Sequence, residues 1–170
     1  MSIHVVVMGV AGSGKSTVAQ AIRDRLGFDM AEGDDFHPQQ NIDKMSAGIA
    51  LTDEDRWPWL RVINTWMIAK EAINHNSVVS SSALKRSYRE VLGEGVDVFF
   101  VHLDGAFDTV YEHMKARQNH FMPVSLLKSQ YADLQPLEAD ERGVVINVNQ
   151  PVEDVVNQAI AAVEAYQRQA

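Results

Sequence analysis

The chain has 170 residues, of which 46% are hydrophobic and 22% charged, so we expect one compact domain and no second one. It contains no cysteine, which excludes disulfides, thiolate metal ligands and cysteine nucleophiles and suits the reducing cytoplasm. The net charge of −8 is concentrated in residues 91–170 (5 Lys/Arg against 12 Asp/Glu), so we expect no basic stripe for nucleic acid, and no apolar window predicts a membrane span or signal peptide.

Strands and helices are predicted to alternate along the whole chain. Short apolar runs that are typical of buried parallel strands occupy residues 5–8, 28–31, 78–80, 96–103 and 144–148. Apolar residues at helical spacing occupy residues 18–26, 54–73, 87–92, 107–117 and 152–166. This alternation predicts an α/β fold with a parallel sheet.

Two stretches lack a regular hydrophobic pattern. In residues 33–52 we expect only a short helix after Pro38, and residues 118–142 mix Asn, His, Phe, Pro and acidic residues. Long irregular insertions in a compact domain are usually functional or mobile. We therefore expect a single domain with two mobile flaps.

A phosphate-binding motif follows the first predicted strand. Residues 9–16, GVAGSGKS, match G-x-x-x-x-G-K-[ST] where a strand meets a helix. The glycines would let backbone N–H groups surround phosphate oxygens at the positive end of the helix, while Lys15 would reach the β- and γ-phosphates and Ser16 would ligate Mg²⁺. The predicted nucleotide-binding residues are Gly9, Gly12, Ser13, Gly14, Lys15, Ser16 and Thr17.

This motif alone does not separate a kinase from a switch GTPase or a motor ATPase. The guanine-binding pattern N-K-x-D is missing after the last predicted strand, where residues 147–151 read NVNQP. The sequence also gives no clear acidic residue at the end of the strand beside the phosphate loop. Asp104 follows an apolar run, but it is better placed to cap the next helix than to contact a metal.

A carboxylate pair after the second predicted strand is a better catalytic candidate. Residues 32–35 read EGDD, and ligands of open α/β sheets bind at the carboxyl ends of strands. Asp34 would accept a proton from an attacking hydroxyl group, and Glu32 would hold a water molecule of the Mg²⁺ shell. The alternative is a solvated acidic turn. Nothing else stands at metal-ligand spacing from His37, so Mg²⁺ is the only metal expected.

Beyond these motifs, the chain resembles the gluconate kinases, small P-loop enzymes that use ATP to phosphorylate D-gluconate to 6-phosphogluconate. The resemblance extends over almost the whole chain. Its segments are GVAGSGKST at 9–17, EGDDFHP at 32–38, NIDKM at 41–45, LTDEDRWPWL at 51–60, SALKR at 82–86 followed by Tyr88 and Arg89, and HFMPVSLLKSQ at 120–130. Many families share the first segment, but few combine it with G-D-x-x-H-P, D-x-D-R-x-P-W-L and H-F-M-P.

The resemblance implies a particular fold and a set of site residues. The fold is that of nucleoside monophosphate kinases and shikimate kinase: three layers, a parallel five-stranded sheet flanked by helices, and a lid at residues 118–136. Arg117 would contact phosphate in catalysis, and Asn149 and Pro151 would lie near the adenine. Asp34 would activate the acceptor hydroxyl group. The residues implied around the acceptor are Asp34, His37, Arg56, Lys85, Arg86 and His120.

The acceptor residues have simpler alternatives. Arg56 offers a planar fork for the gluconate carboxylate, but it would equally form an ion pair with Asp53 or Asp55. Lys85 and Arg86 would otherwise form a solvated helix face. The three tryptophans are expected in the core rather than as stacking platforms: Trp57, Trp59 and Trp66.

The chain departs from the family pattern at three positions. Ser81 stands where the family usually has Cys, Glu32 where it often has Asp, and His113 where it commonly has Arg. The last change leaves the nucleotide role of position 113 open. Shikimate or a nucleoside monophosphate also stays open as the acceptor, as does a nucleotide-dependent regulatory protein without one. A homodimer is compatible with the sequence.

Overall fold

The computed structural model describes residues 2–116 and 124–169, and a parallel five-stranded sheet lies at its centre. The strands are β1 (His4–Met8), β2 (Asp29–Glu32), β3 (Ser77–Ser80), β4 (Val98–Asp104) and β5 (Gly143–Asn147). Their order is β2-β3-β1-β4-β5, with every neighbouring pair parallel. The five predicted strands and the α/β class are confirmed.

Seven helices connect and cover the strands in the described residues. They are α1 (Lys15–Leu26), α2 (Gln39–Ser46), α3 (Asp53–Ala72), α4 (Arg86–Leu92), α5 (Phe107–Lys115), α6 (Val124–Asp133) and α7 (Val152–Gln169), with a 3₁₀ turn at Gly33–Phe36. Right-handed crossovers place α1 and α3 on opposite faces of the sheet, because the chain moves in opposite directions along the strand order after β1 and after β2. The layers are therefore helix, sheet and helix.

The central strands form the core. Every residue of β1 is buried, and so is every residue of β3, as expected for parallel strands covered on both faces. This arrangement brings the ends of β1, β2 and β3 to one edge of the sheet, where β1 enters the phosphate loop and β2 enters the 3₁₀ turn.

The prediction of an irregular segment over residues 118–142 is wrong for its middle part, which is α6. Leu126 and Leu127 of this helix are buried. Tyr131 donates a hydrogen bond from its hydroxyl group to the carbonyl oxygen of Gly105, 2.7 Å away. Because these contacts join residues far apart in sequence, the local pattern did not indicate the helix.

Other expectations about the irregular stretches have different outcomes. The short helix expected after Pro38 is confirmed as α2. The first part of the predicted lid, with Arg117 and His120, lies outside the described residues. No helix in the described ranges is both long enough and apolar enough to cross a bilayer.

Candidate active site

A cavity of about 540 Å³ opens at the carboxyl ends of β1, β2 and β3. The phosphate loop forms one wall, and the 3₁₀ turn, α2, α3 and α6 contribute the others. The side chains that matter below are Lys15, Glu32, Asp34, His37, Arg56 and Gln130. One cavity therefore joins the predicted phosphate site to three of the predicted acceptor residues.

The phosphate loop has a backbone shape that requires glycine. Gly9 has a φ of 147°, and a Cβ atom there would lie 2.7 Å from both the Leu103 carbonyl oxygen and the Ser13 Oγ. Gly14 has a φ of 98° and caps the amino terminus of α1. Lys15 Nζ donates hydrogen bonds to the carbonyl oxygens of Gly9 (3.0 Å) and Val10 (3.1 Å), so its side chain folds back along the loop.

The predicted metal residues Ser16 and Glu32 meet in the structure. Ser16 Oγ donates a hydrogen bond to Glu32 Oε2 at 2.9 Å, and Ser80 Oγ donates to the same oxygen. In the described residues no group of three or more His, Asp or Glu could hold a metal by itself. One carboxylate with hydroxyl groups suits Mg²⁺, which takes its other ligands from phosphate and water. These residues therefore fit the ion that accompanies a nucleotide.

The 3₁₀ turn that carries Asp34 is held from two sides. Trp59 of α3 donates a hydrogen bond from Nε1 to the Gly33 carbonyl oxygen at 2.7 Å. On the other side the turn packs so closely on β3 that a Cβ at Gly33 would collide with the Ser80 carbonyl oxygen. The Asp34 side chain is 79% exposed and lines the cavity, so its carboxylate is available to a ligand.

His37 lies beside Asp34 in a buried and oriented position. Its ring stacks on Trp59 with the centroids 4.0 Å apart. Asn41 Nδ2 donates to the Asp55 carbonyl oxygen at 3.0 Å and lies 3.2 Å from His37 Nδ1, so Nδ1 is the acceptor in that contact. Burial lowers the pKa of His37, which favours the neutral ring with its proton on Nε2, 3.9 Å from Asp34 Oδ1.

Arg56 is buried on the far side of the cavity. Its Nη1 donates a hydrogen bond to the Tyr88 hydroxyl oxygen at 2.7 Å and lies 3.5 Å from Asp133 Oδ2. The carboxylate that forms an ion pair with Arg56 therefore belongs to Asp133 on α6, and not to Asp53 or Asp55. Those two carboxylates have other donors, so the ion pairs considered from the sequence are not formed.

The neighbouring carboxylates are held elsewhere. Asp53 accepts hydrogen bonds from Tyr88 and from Lys85, and these bonds lower its pKa. Asp55 forms a capping box with Thr52 at the start of α3 and pairs with Lys44 at 2.8 Å, which lowers its pKa to about 2. The capping box fixes where α3 begins and so places Arg56 and Trp59, three residues apart, on the face that lines the cavity.

Comparison with known proteins identifies the family. A family model described as an AAA domain matches residues 5–124. The thermosensitive gluconokinase of Escherichia coli (strain K12) is 42% identical over 162 residues, which cover 94% of this chain and 87% of that protein. The chain belongs to the gluconokinase family. Solved kinases have the same fold over nearly the whole chain.

Two of these structures are close in both sequence and shape. A gluconokinase from Sinorhizobium meliloti is 44% identical, with a TM-score of 0.89 over 98% of this chain and 94% of that one. A sugar kinase from a Janibacter species is 48% identical, with a TM-score of 0.93 over 96% of this chain and 95% of that one. The P-loop kinase fold that the sequence predicted is confirmed.

Two predicted acceptor residues do not reach the cavity of this gluconokinase-family chain. Lys85 Nζ lies 3.2 Å from Asp53 Oδ1. The Arg86 guanidinium donates to Glu138 at 2.6 Å and to both carboxylate oxygens of Asp140 at 2.6 and 2.8 Å. The segment after α6 therefore supplies the partners of Arg86, in a manner that the motif SALKR did not indicate.

Four of the predicted nucleotide-binding residues do not line the cavity. Thr17 is exposed on α1, Ser13 is buried beneath the loop, and Asn149 and Pro151 are exposed after β5. His113, where the family commonly has Arg, is exposed on α5. The buried Ser81 Oγ has no hydrogen-bond partner among the described residues.

Sequence reasoning missed several residues that shape the site. Trp59 is buried as predicted, yet it also supports His37 and Gly33. Asn41 and Gln130 lie in the segments NIDKM and HFMPVSLLKSQ, but the sequence indicated no role for either residue. Gln130 Oε1 accepts a hydrogen bond from the Ala11 backbone N–H at 2.7 Å. Only this contact in the folded structure reveals that Gln130 supports the phosphate loop.

Proposed function

We propose that this protein transfers the γ-phosphoryl group of ATP to the primary hydroxyl group of D-gluconate and forms 6-phosphogluconate. The observation that carries the proposal is the single cavity in which the phosphate loop faces Asp34, His37 and Arg56. Gluconokinases at 42% identity or more, with most of each chain covered, support gluconate as the acceptor.

On the nucleotide side, the chain would bind and neutralise phosphate. The backbone N–H groups of residues 12 and 14–16 would surround the phosphate oxygens, and Lys15 would turn from the loop carbonyl groups toward the γ-phosphate. Ser16 and Glu32 would hold Mg²⁺, which neutralises the charge that develops on the β- and γ-phosphates. By the family resemblance, Arg117 would add a positive charge, and Asn149 and Pro151 would lie near the adenine.

On the acceptor side, Asp34 would act as general base. Its carboxylate would take the proton of the primary hydroxyl group as that oxygen bonds to the γ-phosphorus and the bond to ADP breaks. The His37 Nε2–H group lies near the same carboxylate and would hold the hydroxyl oxygen in line. Asp34 lines the cavity, so its carboxylate is accessible to an acceptor there.

Arg56 would bind the carboxylate of gluconate. A carboxylate entering a cavity that contains Glu32 and Asp34 would be repelled unless a cation compensated for them. A guanidinium has five N–H donors, and Nη1 makes the contacts with Tyr88 and Asp133, so further donors remain for a bidentate contact. Lys85 and Arg86 would assist only if they left Asp53, Glu138 and Asp140. His120 would join from the lid at residues 118–136.

A coupled assay of ADP release tests the proposal. The purified protein with ATP and Mg²⁺ should release ADP fastest with gluconate and more slowly with other aldonates. Glucose and sorbitol, which have a primary hydroxyl group but no carboxylate, should be poor acceptors by roughly 30- to 1000-fold in kcat/KM. Equal rates with glucose and gluconate, or a higher rate with shikimate or a nucleoside monophosphate, would contradict it.

The wider setting is part of the same proposal. We propose a cytoplasmic enzyme that acts on a small sugar acid, with neither nucleic acid nor a membrane as its partner. The charge distribution and the absence of cysteine support this setting. Light scattering of the purified protein would decide between a monomer and a homodimer.

A further inference from the structure

One side chain links α6 directly to the backbone of the phosphate loop. Gln130 Oε1 accepts a hydrogen bond from the Ala11 N–H at 2.7 Å, across 119 positions of sequence. Both residues line the cavity between the phosphate loop and Asp34. The amide therefore lies beside the phosphate loop, at the wall of the cavity in which the proposed transfer would occur.

The direction of the Gln130 amide follows from its partner. A backbone N–H can only donate, so the amide atom that faces Ala11 must be the carbonyl oxygen. Nε2, which has two hydrogens, then lies on the other branch of the same planar group. Within residues 2–116 and 124–169, Nε2 donates to no protein atom. Because Gln130 lines the cavity, a ligand there can accept from these two donors.

The helix that carries Gln130 holds it in place. Leu126 and Leu127 are buried, and the Tyr131 hydroxyl group is bonded to Gly105. At the end of the helix, Asp133 lies 3.5 Å from Arg56 Nη1. The donor is thus fixed by contacts on several sides, and a donor fixed before the reaction stabilises developing charge without the cost of reorganisation.

We propose that Gln130 is a catalytic residue, whose Nε2 donates a hydrogen bond to an oxygen of the phosphoryl group as it moves from ATP to the acceptor. This inference rests on the proposed phosphoryl transfer. In that transition state negative charge is spread over three equatorial oxygens, and donors aimed at them lower the barrier. Lys15 lies in the phosphate loop, and Ser16 and Glu32, which would hold Mg²⁺, lie at the start of α1 and the end of β2, whereas Gln130 lies on α6.

Two substitutions separate this role from simple support of the loop. Gln130→Met removes both the acceptor and the donors and adds no charge. Gln130→Glu keeps an oxygen that can accept from Ala11, loses the donors and adds a negative charge. We expect both variants to lose about 10²-fold in kcat, as for other side-chain amides that stabilise transition-state charge. Lys128→Gln, on the exposed side of α6, is the matched control and should retain full activity.

The binding and stability of the variants complete the test. For Gln130→Met we expect the Kd of a non-hydrolysable ATP analogue to stay within about threefold and the Tm to stay within a few degrees. A Gln130→Glu variant with the wild-type kcat would show that the amide only caps the loop. A Gln130→Met variant with the wild-type kcat, or one whose loss is matched by lost analogue affinity, would also overturn the proposal.

Slow ATP hydrolysis without an acceptor keeps the two proposals distinguishable. Transfer to water uses the same phosphoryl contacts, so it should fall by a similar factor in Gln130→Met. If the wild type does not use gluconate, the proposed function fails, while this ratio still reports on Gln130. If gluconate is used but both rates are unchanged in the variant, only the role of Gln130 fails.

Discussion

The two sides of the cavity are built in different ways. The phosphate loop, which forms the wall on the nucleotide side, is one continuous stretch, residues 9–16, in which backbone groups and two side chains line the cavity. The acceptor side combines the 3₁₀ turn, α2, α3, α4 and α6 through contacts between distant residues. We infer that substitutions on the nucleotide side should mainly affect chemistry, whereas those on the acceptor side should affect chemistry and stability together.

Asp34→Asn should give the largest effect and is the exception on the acceptor side, because the Asp34 side chain is exposed. The change retains the shape and removes the base, so phosphorylation of gluconate should fall by about 10²- to 10⁴-fold while ATP binding is retained. Steady-state kinetics measure the phosphorylation of gluconate, and titration with an ATP analogue measures nucleotide binding. Asp35→Asn, on the same turn but outside the cavity lining, is the control. A parallel loss of ATP affinity would instead place Asp34 in the metal shell.

Lys15→Ala should separate chemistry from stability on the nucleotide side. We expect kcat to fall by about 10²-fold or more, because a contact with the transferred phosphoryl group is lost. The Tm should change little, because the hydrogen bonds of Lys15 with the carbonyl groups of Gly9 and Val10 are local contacts within the phosphate loop. Lys115→Ala, in an exposed pair with Glu112, is the control. A variant with nearly the wild-type kcat would remove Lys15 from the mechanism.

Arg56→Lys should affect both properties on the acceptor side. The change keeps the charge and loses the fork, so KM for gluconate should rise by about tenfold while KM for ATP stays nearly constant. The Tm should also fall, because the buried contacts with Tyr88 and Asp133 are altered. Arg142→Lys, in an exposed pair with Asp97, is the control. Equal losses for ATP and gluconate would make Arg56 a structural ion-pair residue.

The smallest effect we predict is the pH dependence of stability, to which each side contributes one buried imidazole. Burial lowers the pKa of His37 on the acceptor side. It also lowers the pKa of His102, which lies on β4 opposite Met8, the last residue of β1 before the phosphate loop. Below the ordinary pKa of 6.5 the unfolded chain binds protons that the folded chain does not, so stability should fall as the pH is lowered from 7 toward 5.5.

Melting curves across this pH range would test whether His37 and His102 cause the loss of stability. Replacing either imidazole, as His37→Gln or His102→Gln, should reduce the slope of Tm against pH. The carboxylates with lowered pKa values titrate below this window and should not contribute to it: Asp29, Asp53, Asp55, Asp140 and Glu141. A slope that neither variant changes would show that other groups set the acid sensitivity.

The sequence by itself determined the sheet and the phosphate loop. Buried parallel strands are continuous apolar runs, and the loop is a contiguous motif whose glycines are required by backbone shape at Gly9 and Gly14. It also indicated Glu32 and Asp34, because the carboxyl ends of parallel strands lie at the same edge of the sheet as the phosphate loop. Each of these inferences depends on residues close in sequence or on the regular geometry of a parallel sheet.

Only the tertiary structure decided how the acceptor side is assembled. The partners of Arg56, Arg86 and Gln130 lie between 32 and 119 positions away along the chain from the residues they contact. A charged side chain has many candidate partners in a sequence with 15 basic and 23 acidic residues, and packing selects among them. Hydrogen bonds and ion pairs act only over a few ångströms, so sequence spacing cannot specify which distant groups meet.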